Sequence, residues 1–409
     1  MSGGNSLIGR QPILNRNLEI VAYELLFRSE ESRGCALFRD GNVASASVII
    51  NTLSEFGFEN ILGVHKGLIN IDSDLLMNDA VEILPREQVI LELLESIRVT
   101  SELEERCRTL HDSGFRFALD DHHHDPLYEK MYTYVDIIKI DVLHRQGNTL
   151  AGLVEPFRSY PLQLLAEKVE TQEVFKTCLD LGFELFQGYF FARPTLEEKK
   201  RIDETSVALL KLMRLLNEDA DLEEIERVFR SRPGLTYKLL VLVNSVSVGL
   251  REKVNSVRHA MVILGRKQIK RWVQLALFVT DDRQGVEHPL MELAAVRASF
   301  MENLAACHPL LKDVPGATEQ CFMVGILSLL EIIYTISMEE VVSNLKLSAE
   351  VADALMFRQG PLGKLLDLAE LMEKSYCRVP AETFEQLGID QQDVQVALIK
   401  AYNWLAGMG

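Results

Sequence analysis

Phe115-Arg116-Phe117-Ala118-Leu119-Asp120-Asp121 is an apolar run that ends in two adjacent carboxylates. A buried parallel strand reads as a short apolar stretch closed by polar residues, and two acids at its end are costly unless a cation holds them. The same layout recurs through the first half of the chain. Asn70 closes Gly67-Leu68-Ile69, Glu92 closes Val89-Ile90-Leu91 with Glu95 just beyond, and Lys139 and Asp141 end Ile137-Ile138-Lys139-Ile140. Glu167 closes Leu164-Leu165-Ala166, and Gln187 follows Phe186. Upstream, residues 7–14, the turn-rich Asn15-Arg16-Asn17 and residues 18–27, which carry Glu24, predict a β-hairpin.

From Glu24 onward the closures are 46, 22, 28, 19, 28 and 20 residues apart. A (β/α)8 barrel spends about 31 residues per unit if roughly 250 residues make eight. The spacing therefore predicts compressed strand–helix repeats. Residues 44–56 and 101–110 predict intervening helices, the second with Ser101 as N-cap and Glu104 completing a capping box. Strands alternating with helices give an α/β fold with a parallel sheet, and barrel chemistry sits at the C-terminal strand ends, where these acids fall.

After Pro194 the pattern changes. Residues 195–205 read as a charged helical connector, and no period-2 strand follows. Asp221 predicts a cap for a helix with Leu222, Ile225, Val228 and Phe229 on one face. A later stripe of Leu290, Leu293, Ala294, Phe300, Met301 and Leu304 is interrupted by Arg297. Residues 205–409 read as a second, all-helical domain.

Composition sets the bounds. With 409 residues, 47% hydrophobic and 25% charged, the chain has the balance of a globular protein of two domains. It has no long apolar run or signal-peptide layout, so the expectation is a cytoplasmic protein without membrane contact. A net charge of -17 argues against broad nucleic-acid binding. The six cysteines form no C-x-x-C, which argues against a disulfide framework or a thiolate zinc site.

One asparagine and five acids at strand ends, with a lysine and a glutamine, form a hard oxygen-ligand set that suits Mg2+ or Mn2+ rather than zinc. Two such ions promote attack of water on a phosphodiester. The other reading of the acids, pairing with Arg or Lys at a barrel rim, stays open at this point.

The order Gln11-Pro12-Ile13, Tyr23-Glu24-Leu25-Leu26-Phe27-Arg28, Asn70, Glu92-x-x-Glu95, Asp120-Asp121, Lys139-Ile140-Asp141, Ala166-Glu167-Lys168-Val169-Glu170 and Gln187-Gly188-Tyr189-Phe190-Phe191-Ala192-Arg193-Pro194 closely resembles the EAL family of cyclic di-GMP phosphodiesterases. The resemblance implies a TIM-like (β/α)8 barrel over about residues 1–200. It implies that Glu24, Asn70, Glu92, Asp120 and, for a second ion, Asp121 hold Mg2+ or Mn2+. Glu167 and Lys139 would orient or activate the attacking water, with Glu167 the better base on carboxylate chemistry. Gln11, Arg28 and Gln187 would hold the dinucleotide, the Arg28 fork suiting a phosphate. Three departures stand out. Leu25 replaces the family's Ala, Lys168 replaces its usual Gly, and His122-His123-His124-Asp125-Pro126 replaces a glycine-bearing loop that Glu95 would anchor. Glycine lost to His and Pro restricts φ, so the loop change bears on catalysis more than on binding. The histidines suggest either extra metal ligands or a solvated polar loop.

In the second half, Pro233-Gly234-Leu235-Thr236-Tyr237-Lys238-Leu239-Leu240, Val243-Asn244-Ser245, Ser256-Val257-Arg258-His259-Ala260 and Leu264-Gly265-Arg266-Lys267-Gln268-Ile269-Lys270-Arg271-Trp272 resemble the HDOD domain, a helical relative of the HD phosphohydrolases. Where the metal-binding His-Asp pair would follow Gly325-Ile326-Leu327, this chain has Ser328-Leu329. The resemblance implies protein partners for this domain and no metal hydrolysis in it, and it allows a homodimer. His259 reads as a hydrogen-bonded core residue. Arg266, Lys267, Lys270 and Arg271 make a basic face, either solvated or a docking patch. Two functional readings follow for the whole chain. One is a metal-dependent cyclic di-GMP phosphodiesterase giving the linear dinucleotide. The other is an inactive receptor or scaffold that signals through the helical domain.

Overall fold

A computed structural model describes residues 6–29, 57–143, 148–192, 204–231, 235, 239, 257–277, 289–333, 337–345, 347–374 and 379–406. The expected helix at 44–56, most of the connector at 195–205 and much of the 233–245 motif lie outside them. The chain divides into two compact units. One comprises residues 1–193, 371–384 and 390–406, and the other comprises 194–370, 385–389 and 407–409.

The first unit is a closed barrel of eight strands in sequence order: β1 (Ser6–Asn15), β2 (Ile20–Ser29), β3 (Lys66–Ile71), β4 (Val89–Leu93), β5 (Arg116–Leu119), β6 (Ile137–Asp141), β7 (Gln163–Glu167) and β8 (Leu185–Phe186). β1 runs antiparallel to both β2 and β8, and every other pairing is parallel. The expected hairpin is thus present. Its turn forms because Asn15 Oδ1 accepts from the N–H groups of Asn17 at 2.8 Å and Glu19 at 3.0 Å, an Asx turn. Closure leaves the sheet without an edge.

Strand residues alternate between the inside and the outside of the wall. Ile13, Ala22, Leu68, Ile90, Ala118, Ile137, Leu165 and Leu185, one from each strand, form an apolar plug inside the barrel. A larger apolar layer, including Tyr23, Leu25, Ile69, Leu91, Phe117, Ile138 and Phe186, lies on the other face of the wall. The helix Ser101–Asp112 is capped by Thr100, whose hydroxyl accepts from Leu103 N at 3.2 Å. This corrects the expected cap by one residue: Ser101 is already helical, and Thr100 holds the extended conformation that a cap requires.

The second unit is helical, with Glu204–Asn217, Leu222–Arg230, Val257–Ala276, Pro289–Ala305 and Ala317–Leu327 among its helices. Asp221 is the N-cap residue of Leu222–Arg230, although its side chain makes no capping hydrogen bond. Gly325 lets Pro289–Ala305 and Ala317–Leu327 cross closely, since a Cβ there would lie 2.6 Å from Ala298 Cα. Arg297 is buried rather than interrupting an apolar face at the surface. It donates to Ser328 Oγ at 2.7 Å and faces Glu370 at 3.6 Å, so Ser328 anchors a buried arginine. His259 is exposed, which corrects its reading as a core residue: it lies on the outer side of its helix, with Val257 and Ala260 facing in. The basic face is largely neutralised, Arg266 by Asp219, Lys267 by Glu319 and Glu302, and Arg271 by Glu302. No described helix is long and apolar enough to cross a membrane.

Candidate active site

Directly above the apolar plug, two residues further toward the same mouth of the barrel, each strand or the residue just past its end supplies one polar side chain. These are Gln11, Glu24, Asn70, Glu92, Asp120, Lys139, Glu167 and Gln187. The period-2 alternation that points Ile90 inward points Glu92 inward too, and the same holds around the ring. β1 runs the other way, so its ring residue precedes its plug residue. Eight of the positions expected from sequence therefore meet in one layer.

Lys139 Nζ is the centre of that layer. It lies 2.5 Å from Glu92 Oε1, 2.8 Å from Glu167 Oε1, 3.2 Å from Asp120 Oδ1 and 3.3 Å from Glu24 Oε2. Gln187 Nε2 donates to Glu24 Oε2 at 2.5 Å and to Gln11 Oε1 at 2.8 Å, and Asn70 Nδ2 reaches Glu24 Oε1 at 3.4 Å. Burial alone would depress the Lys139 pKa, but the charges of Glu167, Glu24, Glu92 and Asp120 outweigh it and hold the ammonium well above its usual range. Glu92 is completely buried; desolvation and then the Glu24 charge push its carboxyl well above the carboxylate range against the pull of Lys139. Burial likewise raises Glu167 to about 7, with Lys139 opposing. One ammonium shared among four carboxylates leaves an excess of negative charge in a dry site.

That excess fits a divalent cation. The donors are hard oxygens, and two buried carboxylate oxygens, Glu92 Oε2 and Asp121 Oδ1, have no hydrogen-bond partner. Among the described residues no three acids, histidines or cysteines stand together ready to hold a metal, because the carboxylates are turned onto Lys139 instead. Asp121 sits beside the ring in a left-handed conformation, φ 37°. Glu95 is exposed and lines a small cavity with Asp120, His122 and Tyr128. Arg28 pairs with Leu7 in the hairpin register, and its side chain lies outside the described set.

Two features escaped the sequence reading. Lys168 holds φ at 55° and forms an ion pair with Asp141, beside Glu167. The histidine loop is neither a metal cluster nor simply solvated. His122 packs edge-on to Tyr128, with ring centres 4.6 Å apart, and its Nε2 stands 2.7 Å from the Tyr132 hydroxyl. His124 packs on Tyr132 and Phe157, whereas His123 is exposed. Burial lowers the His122 pKa to about 4. The recurrence of Tyr128 and Tyr132 after the histidines was the available signal, since aromatic rings seek one another when partly buried.

A family model of the EAL domain matches residues 10–194, and one of the HDOD domain matches residues 203–354. CdgJ of Vibrio cholerae, a cyclic di-GMP phosphodiesterase, is 32% identical over 402 residues, which cover 97% of this chain and 91% of that protein. YuxH of Bacillus subtilis, an uncharacterised protein, is 29% identical over 405 residues, 97% of each. Among solved structures, the calcium and cyclic di-GMP complex of Klebsiella pneumoniae BlrP1 aligns with a TM-score of 0.39 at 24% identity, over 47% of this chain and 56% of that one.

Proposed function

We propose that this chain, which belongs to the family that joins an EAL domain to an HDOD domain, binds cyclic di-GMP and hydrolyses one phosphodiester to give the linear dinucleotide. The observation that carries this reading is the ring of eight polar side chains above the barrel plug. Glu24, Asn70, Glu92 and Asp120 would hold Mg2+ or Mn2+, with Asp121 for a second ion. Such an ion, when bound, polarises the phosphodiester and makes water more acidic. Glu167 is the base: burial raises its carboxyl above the usual carboxylate range, which favours taking a proton from water. Lys139 orients Glu167 across 2.8 Å and keeps a positive charge in the site throughout. Gln11 and Gln187, already bonded to one another, and Arg28 hold the dinucleotide. The protein would act in the cytoplasm, with protein partners at the HDOD domain and a homodimer as the assembled form.

A second reading has its own observation. His122 and His124 are locked into an aromatic cluster immediately after Asp121, whose buried oxygen is left without a partner. A barrel in this state would act as a nucleotide receptor and signal through the helical domain. The deciding experiment is cyclic di-GMP turnover with Mg2+ and with Mn2+, beside equilibrium binding by Glu167→Ala. Metal-dependent linear product, lost in Glu167→Ala while binding persists, is the expected result. Binding without turnover in the parent would establish the receptor, and the absence of both would end the nucleotide reading.

A further inference from the structure

Gln11 and Glu24 each follow a residue on the opposite face of the wall. Arg10 precedes Gln11 on β1 and Tyr23 precedes Glu24 on β2, so these two stand outside the barrel while their neighbours face the mouth. The Arg10 guanidinium lies 4.3 Å from the centre of the Tyr23 ring and 4.1 Å from that of Tyr402, and its Nη1 donates to the Ile61 carbonyl. Both rings are buried, at 2% and 5% exposure. A guanidinium between two buried aromatic faces is at the strong end of cation–π contacts.

Tyr402 belongs to the helix Gln391–Ala406, at the far end of the chain. This helix packs on Phe58–Leu62 and on β1, within the compact unit that contains the barrel. The EAL model ends at residue 194 and the HDOD model at 354, so neither family domain includes it. The same C-terminal segment makes a second attachment, where Tyr189 Oη donates to Glu373 Oε2 at 3.1 Å. Tyr189 lies just past Gln187, whose amide holds both Gln11 and Glu24.

The two attachments flank the seam between β1 and β8. β1 and β8 pair through just Leu14↔Phe186 and Asn15↔Leu185, so β1 has left β8 before it reaches Gln11. On that side Gln11 is held by the Gln187 side chain, at 2.8 Å, rather than by strand pairing. An external brace that grips Arg10 on one side of the seam and Tyr189 on the other supplies what the short β8 does not.

We propose that residues 371–374, 379–384 and 390–406, which belong to the barrel unit, form a clasp on the barrel, with Tyr402 and Arg10 as positioning residues that set Gln11 and Glu24 for the dinucleotide. The last part rests on the nucleotide reading above, whereas the clasp itself does not. The barrel unit thus comprises residues 1–193 together with 371–384 and 390–406, and most of the helical unit falls between them in sequence.

The test uses the full chain and two readouts, amide hydrogen exchange and equilibrium binding of cyclic di-GMP, in Tyr402→Ala, Tyr402→Phe and Arg10→Lys. Tyr402→Ala is expected to speed exchange in β1 and β2, leave β4 to β7 at parental rates, and weaken binding by about tenfold, as removal of supporting shell residues does. Tyr402→Phe keeps the ring and is expected to hold binding within about threefold. Arg10→Lys lacks the flat fork and is expected to follow Tyr402→Ala. Parental exchange in β1 and β2 of Tyr402→Ala would overturn the clasp, and so would equal acceleration in every strand. If the parent itself fails to bind cyclic di-GMP, the nucleotide reading falls, and the exchange pattern alone decides for or against the clasp.

Discussion

Lys139 Nζ stands 2.5 Å from Glu92 Oε1 at the centre of the barrel mouth, with both side chains at 1% exposure or less. The pair is conspicuous because Glu24, Asp120 and Glu167 crowd the same ammonium. Removing one partner of a buried ion pair leaves uncompensated charge, at a cost of about 3–5 kcal/mol. Lys139→Met is therefore expected to lose about that much stability in urea unfolding with chelator present. Added Mg2+ or Mn2+ should return part of it, because a ligand that binds the folded state stabilises it by mass action. Equal stability of parent and variant in chelator would show that the ring does not depend on Lys139.

The histidine loop gives a prediction that concerns packing rather than charge. The buried Tyr132 hydroxyl lies 2.7 Å from His122 Nε2, accepts from Asp125 N at 2.9 Å and faces Asp125 O at 3.2 Å. Tyr132→Phe removes this junction and leaves a backbone N–H without its partner, which costs about 1–3 kcal/mol. Thermal unfolding should show the loss, and proteolysis should then find the 122–125 loop first. A melting temperature equal to the parent's would mean that ring packing alone secures the loop.

How much of this was legible in the sequence depended on whether the signal was local. The ring was readable because a strand alternates strictly, so a polar residue closing an apolar run shares its face with the plug residue two positions before it, as Glu92 does with Ile90. The hairpin was readable from Asn15, whose side chain builds its own turn. What no local pattern carried was the partner choice. Each carboxylate could have met a rim cation, and the convergence of four on Lys139 follows from barrel closure. Tyr402 reads as one apolar position among many on a C-terminal helix, and its contact with Arg10 joins the two ends of the chain. His259 was misplaced because the apolar residues around it mark the other side of its helix.

In the second unit, the Lys267–Glu319 pair gives a pH dependence with a definite sign. Lys267 Nζ lies 2.7 Å from Glu319 Oε1, and this hydrogen bond, with one from Thr318, holds the Glu319 pKa down at about 2. A carboxyl whose folded pKa lies below its unfolded value adds stability above the unfolded value, and that stability disappears as pH falls toward the folded one. With side chains 49% and 41% exposed the pair is screened, so the gain is under about 1 kcal/mol. Lys267→Met is expected to be slightly less stable than the parent near neutrality, with the gap closing as pH drops below about 4.5. A gap that widens in acid would reverse the assigned sign.

Gly188 ties the backbone to the ring. Its φ is 147°, and a Cβ there would lie 2.1 Å from Val169 O and 2.5 Å from Val169 N. Val169 N–H donates to Gln187 O at 2.9 Å, so the clash falls on the bond that sets the height of Gln187. Gly188→Ala must push the end of β8 away from Val169, and Gln187 then loses its reach to Gln11 and Glu24. A substitution that strains a special φ and breaks a buried network belongs to the severe class, with a loss of about 3 kcal/mol or more. Gly152→Ala is the matched control: nothing lies within 4 Å of a Cβ there, and the site is helical. Alanine in that helix is expected to add about 0.5–1 kcal/mol. Urea unfolding of both variants, followed by cyclic di-GMP binding at a denaturant-free temperature where each is folded, separates the two effects. The expected outcome is that folded Gly188→Ala fails to bind, while Gly152→Ala binds as the parent does; parental affinity in Gly188→Ala would show that the position of Gln187 does not govern the site.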